Sequence, residues 1–212
     1  MEITWYGHSC FRIVERSVAS IVTDPYNEQI GYMPLRLKAD IITISHDAPG
    51  HNAVDGAKGA GHILTRPGEY EIGGVFIAGV AMFDPATEVR SGPNVVYTFD
   101  FNGLTVCHLG DLDVVPNQSQ IESLGPIDVL LTPVGGGGAL TSSQAIEVIS
   151  LIEPGIVVPM HYKTPATSLN LDPLDKFLKE MGIAAVETLD SLKVTSSGAE
   201  EETRVVVLKY EH

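Results

Sequence analysis

The stretch Ile41-Ile42-Thr43-Ile44-Ser45-His46-Asp47-Ala48-Pro49-Gly50-His51-Asn52 begins as a run of β-branched residues and ends as a polar loop. The run predicts a buried strand, and Pro49-Gly50 predicts a tight turn beyond it. Two histidines five apart, joined through that turn, are placed to approach one ion, although His-x4-His alone is not a standard ligand spacing. The same design recurs. Trp5-Tyr6-Gly7-His8, Ile21-Val22-Thr23-Asp24, Val106-Cys107-His108-Leu109-Gly110-Asp111 and Val157-Val158-Pro159-Met160-His161 are apolar strands that each run out onto an imidazole or a carboxylate. Ligands of α/β sheets collect at the carboxyl ends of strands, where the next loop opens a crevice. Imidazoles and carboxylates converging there would form a divalent-metal site. Any one of these histidines, taken singly, reads as an ordinary hydrogen-bonded loop residue; five such strand ends weigh against that.

Around these strands the first half of the chain predicts further short strands, at Cys10–Val14, Ala19–Thr23, Ile63–Arg66, Val75–Ala81, Val95–Phe101 and Leu104–Leu109. Asn102-Gly103 between the last two is a two-residue hairpin signal. Further on the pattern becomes strand-helix-strand. Ile127–Leu131 reads as a strand, and Ser142–Ile152 carries apolar residues at helical spacing. Ile156–Met160 follows as a strand, Pro173–Met181 as a helix and Arg204–Tyr210 as a closing strand. Hairpins followed by helices at intervals predict two facing sheets with helices outside. No linker or composition break divides the chain, so the expectation is one domain over 1–212.

The charge balance narrows the partners. Of 212 residues, 13 are Lys or Arg and 27 are Asp or Glu, a formal net charge of −14. Such a surface repels phosphate backbones and anionic lipid, so neither nucleic acid nor membrane is an expected partner. No apolar run approaches the roughly 18 residues of a membrane span. The opening Met1-Glu2-Ile3-Thr4-Trp5 lacks the pattern of an export signal, which makes a cytoplasmic protein the expectation. Cys10 and Cys107 are too few for a disulfide framework and read as buried thiols.

Several motifs, in order along almost the whole chain, resemble the metallo-β-lactamase superfamily, in particular its small bacterial Zn-dependent hydrolase branch. They are Thr4-Trp5-Tyr6-Gly7-His8-Ser9-Cys10-Phe11, Thr23-Asp24-Pro25, Ser45-His46-Asp47, Pro67-Gly68-Glu69-Tyr70-Glu71, Cys107-His108-Leu109-Gly110-Asp111-Leu112, Asp128–Gly137 and Ile156–Lys163. The resemblance implies an αββα sandwich and a two-metal site, usually zinc, built around His-x-His-x-Asp-His. By position, His46 matches the first histidine of that motif and His51 the last. Asp111 matches the bridging aspartate and His161 the final histidine. Three positions depart from the pattern: Ala48 stands for the second histidine, Gly50 for the aspartate, and Phe83, followed by Asp84, for the intermediate histidine.

Sorted by metal, the resemblance leaves His46 and Asp111 on one side, short of the three protein ligands of a typical catalytic zinc. It leaves His51, Asp111 and His161 on the other, enough for one ion with open positions. Asp84 and His8 stand as substitutes whose placement the sequence leaves open. The lost aspartate at Gly50 removes a group that orients water in the family, and glycine there is expected to loosen the loop. The expectation is therefore a hydrolase-like protein with an eroded dinuclear site and at most one divalent ion, zinc, whose occupancy stays open. It would act on a small, anionic molecule, with oligomeric state undetermined. The alternative is a non-catalytic relative that binds a small anion or a protein partner in the old cleft. A nuclease ranks third on charge, and β-lactamase activity is not expected from this branch. Gly135-Gly136-Gly137-Gly138 lacks the Gly-Lys-Ser/Thr of a Walker loop and reads as a flexible turn near the site rim. No Gly-x-Ser-x-Gly elbow marks a serine hydrolase. His108 is assigned to packing, and His62 and His212 to the surface.

Overall fold

Strand β1 (Glu2–Gly7) opens a computed structural model that describes residues 1–82, 93–195 and 202–211. Phe83, Asp84 and His212 lie outside the described residues. The order continues β2 (Cys10–Val14), β3 (Ile21–Thr23), β4 (Leu37–Lys38), β5 (Ile41–Thr43), β6 (Ala57–Lys58), β7 (His62–Leu64), β8 (Gly68–Ile72), β9 (Val75–Met82), β10 (Asn94–Asp100) and β11 (Thr105–His108). Then come α1 (Gln118–Glu122), β12 (Val129–Pro133), α2 (Ser142–Ile152), β13 (Ile156–Met160), α3 (Leu174–Glu180), β14 (Glu187–Leu189), β15 (Leu192–Lys193) and β16 (Arg204–Leu208). One sheet has the order β15-β1-β2-β3-β5-β7 and the other β14-β16-β13-β12-β11-β10-β9-β8, beside a β4-β6 ribbon. The Asn102-Gly103 turn forms as expected, both residues at positive φ (57° and 87°) between Phe101 and Leu104, which exchange backbone hydrogen bonds.

Inner-face side chains of both sheets meet in one apolar cluster. Ile3, Trp5, Phe11, Ile13 and Ile41 of the first sheet join Ile77, Tyr97, Phe99, Val106, Leu131 and Val158 of the second. Every residue of β12 and β13 is buried, the signature of parallel strands covered on both faces. The second cover comes from α2 and α3, which bury Ala145, Val148, Ile149 and Phe177 in the same cluster. A capping box between Thr141 and Gln144 starts α2 where the apolar periodicity placed it.

The other face of the first sheet is covered differently. Cys10, Val22, Ile42 and Ile44 pack under Tyr26, Ile30, Tyr32, Leu37 and Ala57. Among the described residues this cover holds no α-helix, only short 3-10 turns at Glu28–Ile30 and Val54–Gly56 and the β4-β6 ribbon. Pro25, Pro34 and Pro49 punctuate the segment, and proline interrupts helical hydrogen bonding. Cys10 and Cys107 are buried and unpaired.

Strand direction puts the chemistry at one end. β1 is antiparallel to β2 and β2 to β3, while β3 and β5 are parallel, so β1, β3 and β5 all run the same way. β11, β12 and β13 are parallel to one another as well. Backbone bonds stitch the two sets of strand ends together: His161 N–H donates to the His8 carbonyl (3.1 Å) and Val95 N–H to the Ser45 carbonyl (2.8 Å).

Candidate metal centre

His8 sits in the turn after β1, with Gly7 at φ 103° and His8 itself at φ 50°. Its carbonyl accepts from the Trp5 indole (3.0 Å) as well as from His161. His161, just past β13, is also left-handed at φ 52°, and so is Asp24 at 38°. Non-glycine residues in this region cost of order 1–3 kcal/mol each and persist where the surroundings hold them. The Gly135-Gly136-Gly137-Gly138 loop is one such restraint. Gly135 donates to the His161 carbonyl at 3.1 Å, and a Cβ there would lie 2.3 Å from that oxygen. The loop expected to be a flexible turn is thus packed onto His161, and glycine is needed for the close approach.

Asp24 organises the next two imidazoles. Its buried carboxylate accepts from Ser45 N–H (2.7 Å), Ser45 O–H (2.6 Å) and His51 Nδ1 (2.8 Å). With Asp24 ionised, His51 carries its proton on Nδ1 and turns the Nε2 lone pair to the centre, the carboxylate–histidine arrangement common behind metal ligands. The Ser45 hydroxyl proton is committed to Asp24, so at 3.1 Å it accepts from His46 Nδ1, and His46 Nε2 also faces inward. Burial pushes Asp24 up, but the His51 imidazole and the Ser45 hydroxyl outweigh it and leave the carboxyl below its ordinary value. Burial lowers His51, and the Asp24 charge and hydrogen bond overcome that and raise it.

Asp111 follows Gly110, whose φ of 62° and lack of a side chain let the turn close against Ser45; a Cβ there would lie 2.4 Å from the Ser45 Cβ. Asn94 clamps the same turn, donating to the Leu109 carbonyl and accepting from Asp111 N–H, each at 2.9 Å. Asp111 Oδ1 then lies 3.0 Å from His161 Nε2 and Oδ2 3.6 Å from His46 Nε2. Burial raises this carboxyl, but His161, His51 and His46 together hold it well below the carboxylate range.

All four histidine and aspartate positions taken from the resemblance, His46, His51, Asp111 and His161, therefore meet in one cluster. His8 joins them. Among the described residues, one ligand atom each from His8, His51 and His161 lie within 4.8 Å of one another, as do those of His46, His51 and Asp111. His8 Nε2 faces His51 Nε2 at 3.2 Å. Two nitrogens bound to tetrahedral zinc at 2.0–2.1 Å are roughly 3.3 Å apart, so these donors fit an ion. Among the described residues the buried Nδ1 atoms of His8 and His161 have no hydrogen-bond partner, unlike Nδ1 of His51, which Asp24 holds.

Gly50 was expected to loosen its loop. It is buried and outside the left-handed region, and a Cβ there would meet His8 Nε2 at 2.8 Å. His108 is buried as expected, donating from Nε2 to the Ser9 carbonyl (2.9 Å), and His62 is exposed. Asp24 was visible as a strand-end carboxylate but not assigned to the site. Ser45 and Asn94 carried no signal that set them apart.

The sequence profile of the beta-lactamase superfamily domain matches residues 2–161. A UPF0173 protein of Pyrococcus abyssi is 30% identical over 188 residues, spanning 77% of this chain and 84% of its own. A UPF0173 metal-dependent hydrolase of Thermococcus onnurineus is 29% identical over 193 residues, 77% and 85% of the two chains. The crystal structure of a metallo-β-lactamase superfamily protein from Thermotoga maritima superposes with a TM-score of 0.79 at 37% identity, over 98% of this chain and 97% of that one. Two facing sheets that deliver imidazoles and carboxylates to one edge match that kinship, and the chain belongs to the metallo-β-lactamase superfamily.

Proposed function

We propose that the protein is a metal-dependent hydrolase with a reduced centre, holding one divalent ion, zinc, at His51, Asp111 and His161, with His46 bordering it on the Asp111 side. The observation that carries the reading is the Asp24-oriented His51, which groups with His161 and His8 on one side and with Asp111 and His46 on the other, while Asp111 Oδ1 lies 3.0 Å from His161 Nε2. The Thermococcus relative bears the name metal-dependent hydrolase, and the donor set fits that chemistry. A divalent ion bound there lowers the pKa of water and polarises an acyl or phosphoryl oxygen. The chain contributes the framework. Asp24 fixes the tautomers of His51 and, through Ser45, of His46. Asn94 and Gly110 aim Asp111, and the 135–138 loop holds His161.

The −14 charge supports a small-molecule substrate over a nucleic acid. One apolar cluster reaching from Ile3 to Leu208 supports a single domain. Among the described residues no helix is long and apolar enough to cross a membrane, and two buried unpaired thiols accord with a reducing, cytoplasmic compartment. A second reading, a non-catalytic relative that binds an anion, is favoured by one observation: Ala48 and Gly50 place no ligand on the loop that carries His46 and His51. Hydrolysis of generic esters and phosphodiesters by zinc-loaded and chelator-stripped protein separates the two. Turnover that appears only with the metal supports the hydrolase; its absence across the panel, with metal bound, selects the second reading.

A further inference from the structure

We infer that His108 is a positioning residue of the metal centre: from the second sheet it pins the turn at His8 and Ser9, and through that turn it fixes the backbone of His161. The inference rests on the reading that the cluster binds an ion, and it gives a task to a buried imidazole outside the ligand set.

Packing alone does not account for a histidine at this position. His108 ends β11 at 0% exposure, between Tyr97 and Leu131 on the neighbouring strands, and its ring meets that of Phe11 across the sheets at 6.1 Å. An apolar side chain would fill such a place without the cost of burying two ring nitrogens. One nitrogen goes unused: among the described residues Nδ1 has no hydrogen-bond partner. The other is directed. Nε2 lies 2.9 Å from the Ser9 carbonyl, which can only accept, so the proton sits on Nε2.

That bond completes a pattern. Two successive carbonyls of the turn each take two donors, one from either sheet. The His8 carbonyl accepts from the Trp5 indole (3.0 Å) and from His161 N–H (3.1 Å). The Ser9 carbonyl accepts from the Thr23 hydroxyl (3.1 Å) and from His108. Both lone pairs of each oxygen are in use, and the left-handed turn at His8, φ 50°, is clamped between the sheets. Without His108 these two carbonyls meet the second sheet through His161 alone, the residue they have to hold.

The test is a cobalt titration, read by the visible absorption of the bound ion, beside the melting temperature of the metal-free protein. His108→Leu keeps an apolar side chain in the cluster but removes the donor. It should weaken cobalt by about 10- to 100-fold, the range for losing a partner behind a ligand. His108→Gln, whose amide N–H replaces Nε2 as donor, should recover most of that affinity even where its melting temperature stays low. Val106→Ala, two residues back on the same strand, opens a cavity away from the turn; it should melt earlier yet bind cobalt as the parent does. A folded His108→Leu protein with parental affinity overturns the inference while the ion site stands. A Gln variant as weak as the Leu variant, or a Val106→Ala protein weakened as much, reduces His108 to packing and overturns it too. A parent that binds no cobalt overturns the ion site and the inference together. Should His108→Leu fail to fold, His108→Met, longer and more adaptable in a core, carries the same comparison.

Discussion

The two halves of the metal centre are built to different standards. The inner half, His8, His51 and His161, is buried to within 3% of full burial and braced by Asp24, Trp5 and Gly135, with His8 and His161 held on left-handed backbone. The outer half, His46 and Asp111, has side chains 17% and 15% exposed, and the loop beyond His46 continues through Asp47 and Ala48. The difference teaches that the imidazoles nearest the core of the fold are the more firmly held. The inner imidazoles are fixed by groups that also hold the two sheets together, so they are costly to lose, whereas an outer ligand can be lost with little strain.

Asp24→Ala should produce the largest effect. It strips the partner from His51 Nδ1 and from both Ser45 donors in a fully buried position, at about 3–5 kcal/mol, the range for removing one member of a buried charged pair. Denaturant unfolding and zinc titration should show both stability and affinity falling; a loss under about 1 kcal/mol would mean that the inner half is not braced through Asp24. Gly135→Ala comes next. Its Cβ would lie 2.3 Å from the His161 carbonyl, and overpacking of this kind costs about 1–3 kcal/mol. The melting temperature should fall and zinc should weaken; an unchanged affinity would show that His161 keeps its place without the loop.

Acid should separate the halves further. Burial first, and the neighbouring imidazoles second, hold His8 and His46 below the ordinary histidine value of about 6.5. The unfolded chain takes up those protons below about pH 6.5 and the folded one resists, so this contribution to stability is present above that pH and lost as pH falls. His51, raised, runs the other way: its contribution is full below about 6.5 and fades as pH climbs past its folded value. Asp24 and Asp111, lowered, contribute until the pH falls below the ordinary carboxylate range. The chelator-treated protein should therefore melt at lower temperature at pH 5.5 than at pH 7. A flat profile in the parent, or the same slope after His8→Gly, would show that His8 is not the group resisting protonation. The smallest effect belongs to the outer half. His46→Ala should change stability by under about 1 kcal/mol, its imidazole being part-exposed and bonded only at the site edge. A loss as large as that of Asp24→Ala would erase the distinction between the halves.

Much of this was legible in the residues. Strands ending on His8, Asp24, His46, Asp111 and His161 announced a site at one sheet edge, because the period-2 strand pattern and the polar residue that ends it are both local signals. The outer cover of the first sheet was not legible: proline-broken 3-10 turns have no periodicity to read, and helices were expected there. The placement of His8 was also out of reach. That histidine and Gly50 lie 42 positions apart in the chain, and only the packed sheets bring its Nε2 to within 2.8 Å of where a Cβ on Gly50 would stand. Ser45 and Asn94 act through backbone and carboxylate contacts that any loop serine or asparagine could make, so nothing in their neighbours distinguished them.

The most direct measurement is the zinc content of the folded chain after saturation and exhaustive dialysis, with the ion located by its anomalous scattering in a crystal. One ion per chain, held by His51 and His161 of the inner half with Asp111 reaching to it from the outer half, is the result the account predicts. Two ions per chain, the second held on the side of His46, would contradict it.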